Sequence, residues 1–133
     1  VDVKYSSVVK ALKENDTTLS KNYDYKLLLG ILNSKLINWY FYNFLSESLH
    51  FYPNDAKSLP IKNISEQNAQ ICKEIITQAN TIVELKIRQN NTHSDRDKQQ
   101  FQSSIDHADI KIDDLVYKLY GLTKNEIRII EGL

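Results

Sequence analysis

Two apolar series that alternate by three and four residues constrain this chain more than any other feature. Cys72, Ile75, Ala79, Ile82 and Lys86 form the first, widened by Ile71, Ile76 and Val83. Phe101, Ile105, Ala108, Ile112, Leu115 and Leu119 form the second. Such spacing places the apolar side chains along one stripe of a helix. The stretch between them, Gln89 to Gln100, is wholly polar and has no strong element signal. Each helix needs an apolar partner, so the pattern predicts an antiparallel helical hairpin joined by that polar connection. Each large side chain buried on the seam is worth about 1.5–3 kcal/mol.

The rest of the chain also reads as helix. Only 3 Gly and 2 Pro occur in 133 residues, too few for a turn-rich β fold. Asp24 stands as an N-cap for a long apolar helix, Leu27 to Leu45, with Leu28, Ile31, Leu32, Leu36, Trp39, Tyr40 and Phe44 on one stripe. Val8, Val9 and Leu12 begin a short helix, and Asn15 to Asn22 reads as a loop. Val1, Val3 and Tyr5 alternate with polar residues like the end of a strand. Phe51-Tyr52-Pro53 and Leu59-Pro60-Ile61 read as extended, because each proline disfavours a helical residue before it. Ser65 is the expected cap of the first hairpin helix. Gly121 supplies the left-handed stop of the second, and Thr123 with Glu126 a capping box for a final helix. The fold class is therefore mainly α: a long helix plus an antiparallel two-helix hairpin, with a few short β-strands. The expected divisions are 1–62, 63–122 and 123–133.

Lysine plus arginine equals aspartate plus glutamate at 17 each, so no global field draws the chain to polyanions. The single cysteine, Cys72, excludes a disulfide framework and fits a reducing, cytoplasmic setting. No apolar run approaches the roughly 18 residues of a membrane span. The chain starts at Val1 and contains no Met, which fits an excised fragment, with a removed initiator as the alternative.

Catalytic chemistry is not legible. His50, His93 and His107 lie far apart, and Cys72 sits on the seam as a structural thiol. Asp95-Arg96-Asp97-Lys98 holds an Asp-x-Lys pair, half of a metal-dependent nuclease motif, but in a polar loop and without the acid on a preceding strand. There is no glycine-rich phosphate or cofactor turn and no Asn/Asp-Pro-Pro-aromatic motif for a flipped adenine. Such a chain is no complete methyltransferase. Lys4, Lys10, Lys13, Lys21, Lys26 and Lys35 interleave with Tyr5, Tyr23 and Tyr25, a mixture suited to phosphate contact or to an ordinary solvated face.

Four blocks, in order, carry a resemblance. Ile112-Asp113-Asp114-Leu115-Val116-Tyr117-Lys118-Leu119-Tyr120-Gly121-Leu122-Thr123, followed by Lys124-Asn125-Glu126-Ile127, resembles the "ID-x-LVY-x-LYGLT-x-x-EI" close of one enzyme group. These are the adenine-specific DNA methyltransferases and single-chain restriction–modification enzymes with a TaqI-like C-terminal specificity domain. Leu28 to Leu36 resembles their "LLA-x-LNSKL" helix, Lys57 to Ile61 their "LK-x-LPI" strand, and Ser65 to Ile71 their "E-x-Q-x-x-I" helix start. Similar blocks occur in specificity subunits of type I restriction systems, where paired helices act as a ruler between recognition domains.

The resemblance implies the end of a target recognition domain, its connecting helix and a bracing hairpin, with no chemistry of their own. S-adenosylmethionine, and magnesium for any nuclease activity, would belong to the parent enzyme, as would the catalytic methyltransferase domain and the double-stranded DNA. Asn33, Ser34 and Lys35 are the candidate DNA-positioning residues, joined by Lys26 and Lys57; helix packing and capping is the competing role for the first three. The alternatives are a type I specificity subunit and a helical-hairpin protein-interaction module. What precedes Val1 separates the first two. The isolated fragment is expected to bind DNA weakly and with steep salt dependence, and to dimerise through Trp39 and Phe41 if their natural partner is absent.

Overall fold

The computed structural model describes Ser7, Val8, Lys10, residues 24–45 and residues 58–133. Five α-helices follow in order: α1 (Tyr25–Leu32), α2 (Lys35–Tyr40), α3 (Ala69–Asn91), α4 (Asp95–Leu119) and α5 (Lys124–Glu131). A π-helical turn, Phe41–Leu45, extends α2. At about 1.5 Å per residue the 23-residue α3 and the 25-residue α4 each run roughly 35 Å. They pack together along their length as the antiparallel hairpin, with Cys72, Ile75, Ala79, Ile105, Ala108, Ile112 and Leu119 buried.

The hairpin's link is shorter than the polar run implied. Only Thr92, His93 and Ser94 lie outside the helices. Ser94 caps α4 by accepting the Asp97 N–H at 3.3 Å, and Asp95 and Asp97 complement the dipole in the first turn. Gln89 Nε2 reaches across to the Lys98 carbonyl at 3.1 Å and to Gln102 Oε1 at 3.0 Å. Polar residues of good helix propensity thus continue both helices without an apolar face. Asp95 to Lys98, expected in a loop, forms the first turn of α4.

The apolar segment after Asp24 is helical as expected, and Asp24 accepts the Lys26 N–H at 2.7 Å. It breaks once, at Asn33-Ser34. Ser34 is extended (φ −70°, ψ 156°); its hydroxyl donates to the Ile31 carbonyl at 2.6 Å and accepts the Ile37 N–H at 3.3 Å. One side chain therefore serves the end of α1 and the start of α2, competing with a continuous ladder. Gly30 presses α1 onto the hairpin, where an added Cβ would meet Ile75 Cγ2 at 2.7 Å. Gly30→Ala should wedge the two apart and lower stability by about 1–3 kcal/mol, measured by chemical denaturation.

Ser65 does not cap α3. A turn over residues 66–68 precedes it, and buried Asn68 organises that turn, accepting the Ser65 N–H at 2.8 Å and donating Nδ2 to the Asn63 carbonyl at 2.9 Å. The end of α4 is as expected. Gly121 takes φ 66°, its N–H reaches the Lys118 carbonyl, and the Leu122 N–H reaches that of Tyr117, a Schellman stop. Thr123 and Glu126 form the capping box of α5.

Among the described residues there is no strand. The segments 1–5 and 51–53 lie outside them. Leu59-Pro60-Ile61 is described and non-helical, with the Ile61 N–H donating to the Leu59 carbonyl at 3.0 Å. Tyr120 Oη donates to the Pro60 carbonyl at 2.6 Å and accepts the Lys62 N–H at 3.0 Å, which ties the segment to the end of α4. One apolar cluster unites Val8, Leu27, Ile31, Leu36, Ile61, Ile75, Val116 and Ile130, drawing on every part of the described chain. No described helix is long and apolar enough to cross a membrane.

Candidate nucleic-acid interface

The junction at Asn33-Ser34-Lys35 is where the sequence placed its candidate DNA contacts, and it is tied down by side chains and backbone together. Asn33 is exposed, with its Nδ2 donating to the Leu29 carbonyl at 2.9 Å. Ser34 is 1 % exposed and spent on the two helix ends, so its hydroxyl faces no ligand. Lys35 contributes in two ways. Its backbone N–H donates to Asp113 Oδ1 at 2.9 Å, and its ammonium lies 4.0 Å from Glu131 Oε1. Of the three, Asn33 and Lys35 remain available at the surface.

Lys26 is half-buried, with its ammonium 5.8 Å from the centroid of the Tyr25 ring. Lys57 lies outside the described residues. The structure thus brings Asn33, Ser34 and Lys35 together and leaves Lys26 at the far end of α1.

Asp113 is what sequence reasoning missed. Along most of its length α4 presents a seam to α3, and Asp113 opens a second buried stripe with Val116, Tyr117 and Tyr120 on the side of α1 and α2, from which Tyr117 reaches Glu131 of α5. An acid inside an apolar run was the available signal. Burial pushes its carboxyl above the ordinary aspartate range; the Lys35 N–H and ammonium pull it down, while Asp109 and Glu131 push it up. Because the folded pKa is raised, the stability linked to Asp113 is full below the unfolded value and is lost as pH rises through the folded one. Asp113→Asn keeps an acceptor for the Lys35 N–H without a buried charge. It should be at least as stable as the parent at pH 7, and the decline in stability on leaving acid pH should flatten. Denaturation midpoints measured from pH 3 to 8 check this; a large loss with an unchanged pH profile would refute it.

Tyr117 completes the cluster by donating to Glu131 Oε1 at 3.2 Å. Burial first, then the charges of Glu131 and Asp113, hold its phenol far above the usual range, so it stays a donor. A groove of about 640 Å³ opens beside the junction between α1 and the hairpin. Leu29, Ile82 and Val83 give it an apolar floor, while Lys35, Lys86, Asp109 and Asp113 give it balanced charge. Burial raises the Asp109 pKa and the nearby Lys86 opposes that.

Phe41, expected at the surface, is buried at 9 % exposure, and Trp39 is half-buried. Their rings pack locally: Trp39 meets Phe44 edge-on at 5.5 Å and Phe41 meets Tyr42 at 5.6 Å. Of the aromatics from Trp39 to Phe44, the one left outside is Tyr42, at 61 %. Cys72 is buried against Asn68 Oδ1, and desolvation raises its pKa, the opposite of a reactive thiol. His93 and His107 are exposed and apart, and His50 is not among the described residues. Among the described residues no three metal-binding side chains converge. Comparison with family models, curated proteins and solved structures found no match to this chain.

Proposed function

We propose that this chain is the DNA-specificity part of an adenine-methylating restriction–modification enzyme, positioning the target and bracing the recognition domain while the chemistry lies elsewhere in the enzyme. One observation carries the reading beyond wording. The blocks that resemble the family are distant in sequence yet bond to one another. Asp113 of the closing block holds the Lys35 N–H of the "NSKL" block across 78 positions. Tyr120 of the same block clamps the residues around Pro60 of the "LPI" block across 60. The third block is ordered from within, Asn68 accepting the Ser65 N–H three residues back. Residues that tie a fold together are those a family's wording preserves as a set.

The test is a domain exchange. Replacing residues 1–62 within the intact enzyme should abolish its sequence preference in DNA methylation while non-specific duplex binding survives. An unchanged preference would remove the reading.

One feature favours a second reading, a type I specificity subunit in which the hairpin is the spacer. Between Asn80 and Ser104 no residue is fully buried, so the outer half of the hairpin stands clear of the other described helices. A subunit of that kind would show two recognised half-sites at fixed separation, which shortening the hairpin by whole turns would shift.

A further inference from the structure

Charge is unevenly distributed among the helices although the whole chain is neutral. Helix α4 carries six aspartates, and α3 and α5 carry two acids each. From Tyr25 to Leu45 there are two lysines and no carboxylate. Among α1 to α5 it is the stretch that a polyanion meets without an acid of its own.

Its second half presents a defined face. Leu36, Ile37 and Phe41 are buried, which turns Lys35, Asn38 and Tyr42 outward at positions i, i+3 and i+7. The Lys35 side chain is 56 % exposed and Tyr42 is 61 % exposed. The 4.0 Å approach of Lys35 to Glu131 is a loose surface pair, which a phosphate can replace. Asn38 spends Nδ2 on the Ser34 carbonyl at 2.9 Å, which fixes the amide. Tyr42 lies in the π-helical turn, a rare geometry that is concentrated at functional sites. The face is also held rigidly, since Ser34 and Asp113 cap the start of α2 from two sides.

We propose that Lys35, Asn38 and Tyr42 form the face of this chain that lies against duplex DNA: Lys35 on a phosphate, Tyr42 against the sugar–phosphate edge or an unstacked base, and Asn38 between them. The proposal rests on the DNA-specificity reading and assigns its contact surface. Ser34, buried and spent on the helix ends, is not part of it.

The test is duplex binding by the whole chain, followed by fluorescence anisotropy over a salt series. Lys35→Ala should weaken binding several-fold and lower the slope of log K against log salt by about 0.9, the loss of one phosphate contact. Tyr42→Ala should weaken binding with the slope unchanged, and Tyr42→Phe should retain most of it. Lys111→Ala, on the opposite side of the hairpin beside His107, should change neither. Thermal unfolding of each variant separates loss of contact from loss of fold. If Lys35 and Tyr42 variants bind like the parent while Lys111→Ala weakens binding, this face is wrong and the DNA reading stands. If the parent binds no duplex even at low salt, both fall.

Discussion

Ile112→Asp leaves no cooperative unfolding transition: this is the expected result with the largest effect. Ile112 is 5 % exposed, on the seam with α3 and 3.8 Å from where a Cβ on Gly30 would stand, so it serves two interfaces. The substitution removes an isoleucine worth about 2–5 kcal/mol by truncation. It also buries a carboxylate beside Asp109 and Asp113, which already share the nearby Lys86 and Lys35. The combined loss rivals the roughly 5–15 kcal/mol that holds a typical domain together. Ile110→Asp is the control. Ile110 is two residues away on the same helix but 55 % exposed, and its replacement should shift stability within about 0.5 kcal/mol. Circular dichroism during thermal unfolding distinguishes the two, and equal behaviour would remove the assigned seam.

Tyr120→Ala is the second large effect. At 2 % exposure the ring is among the largest fully buried side chains, and its truncation should cost about 3–5 kcal/mol. Tyr120→Phe separates the two things this residue does. It keeps the packing and removes the hydroxyl that joins the Pro60 carbonyl to the Lys62 N–H, at about 1–3 kcal/mol. That loss should be local as well as global, with the Lys62 amide exchanging faster than amides at the base of the hairpin. Urea titrations give the first quantity and hydrogen exchange the second. A Phe variant as stable as the parent would show that the clamp is incidental to the packing.

The parts of this fold that were legible are those written in neighbouring residues. The hairpin announced itself in the spacing of Cys72 to Ile82 and Phe101 to Leu119, and its end in Gly121, Thr123 and Glu126. What escaped was decided by contacts between distant residues. Asp113 reads as one more polar residue until Lys35, 78 positions away, offers it an N–H. The break at Ser34 was hidden because α1 and α2 both lie on the hairpin, so the apolar stripe continues across it. Leu59 to Ile61 looks extended because proline makes it so, and a strand partner does not follow from that. The helical ends around His93 carry no apolar signal, so propensity and a serine cap settled their length. For the candidate interface, sequence pointed to the junction at Asn33 to Lys35. It could not tell that Ser34 turns inward, or that Tyr42 and not Phe41 stays in water.

The outer half of the hairpin is held by half-buried side chains such as Leu85 and Phe101 and by the amide of Gln89, with no fully buried residue. Below Ala79 a third helix backs the pair, and the structure resists as a block; above it the two helices resist as a thin beam. Strain applied at Thr92 to Ser94 would therefore be absorbed by bending and end-fraying before it reached Ile112. The same anatomy that makes the hairpin a long arm makes it a compliant one, which isolates the core from whatever pulls on its tip.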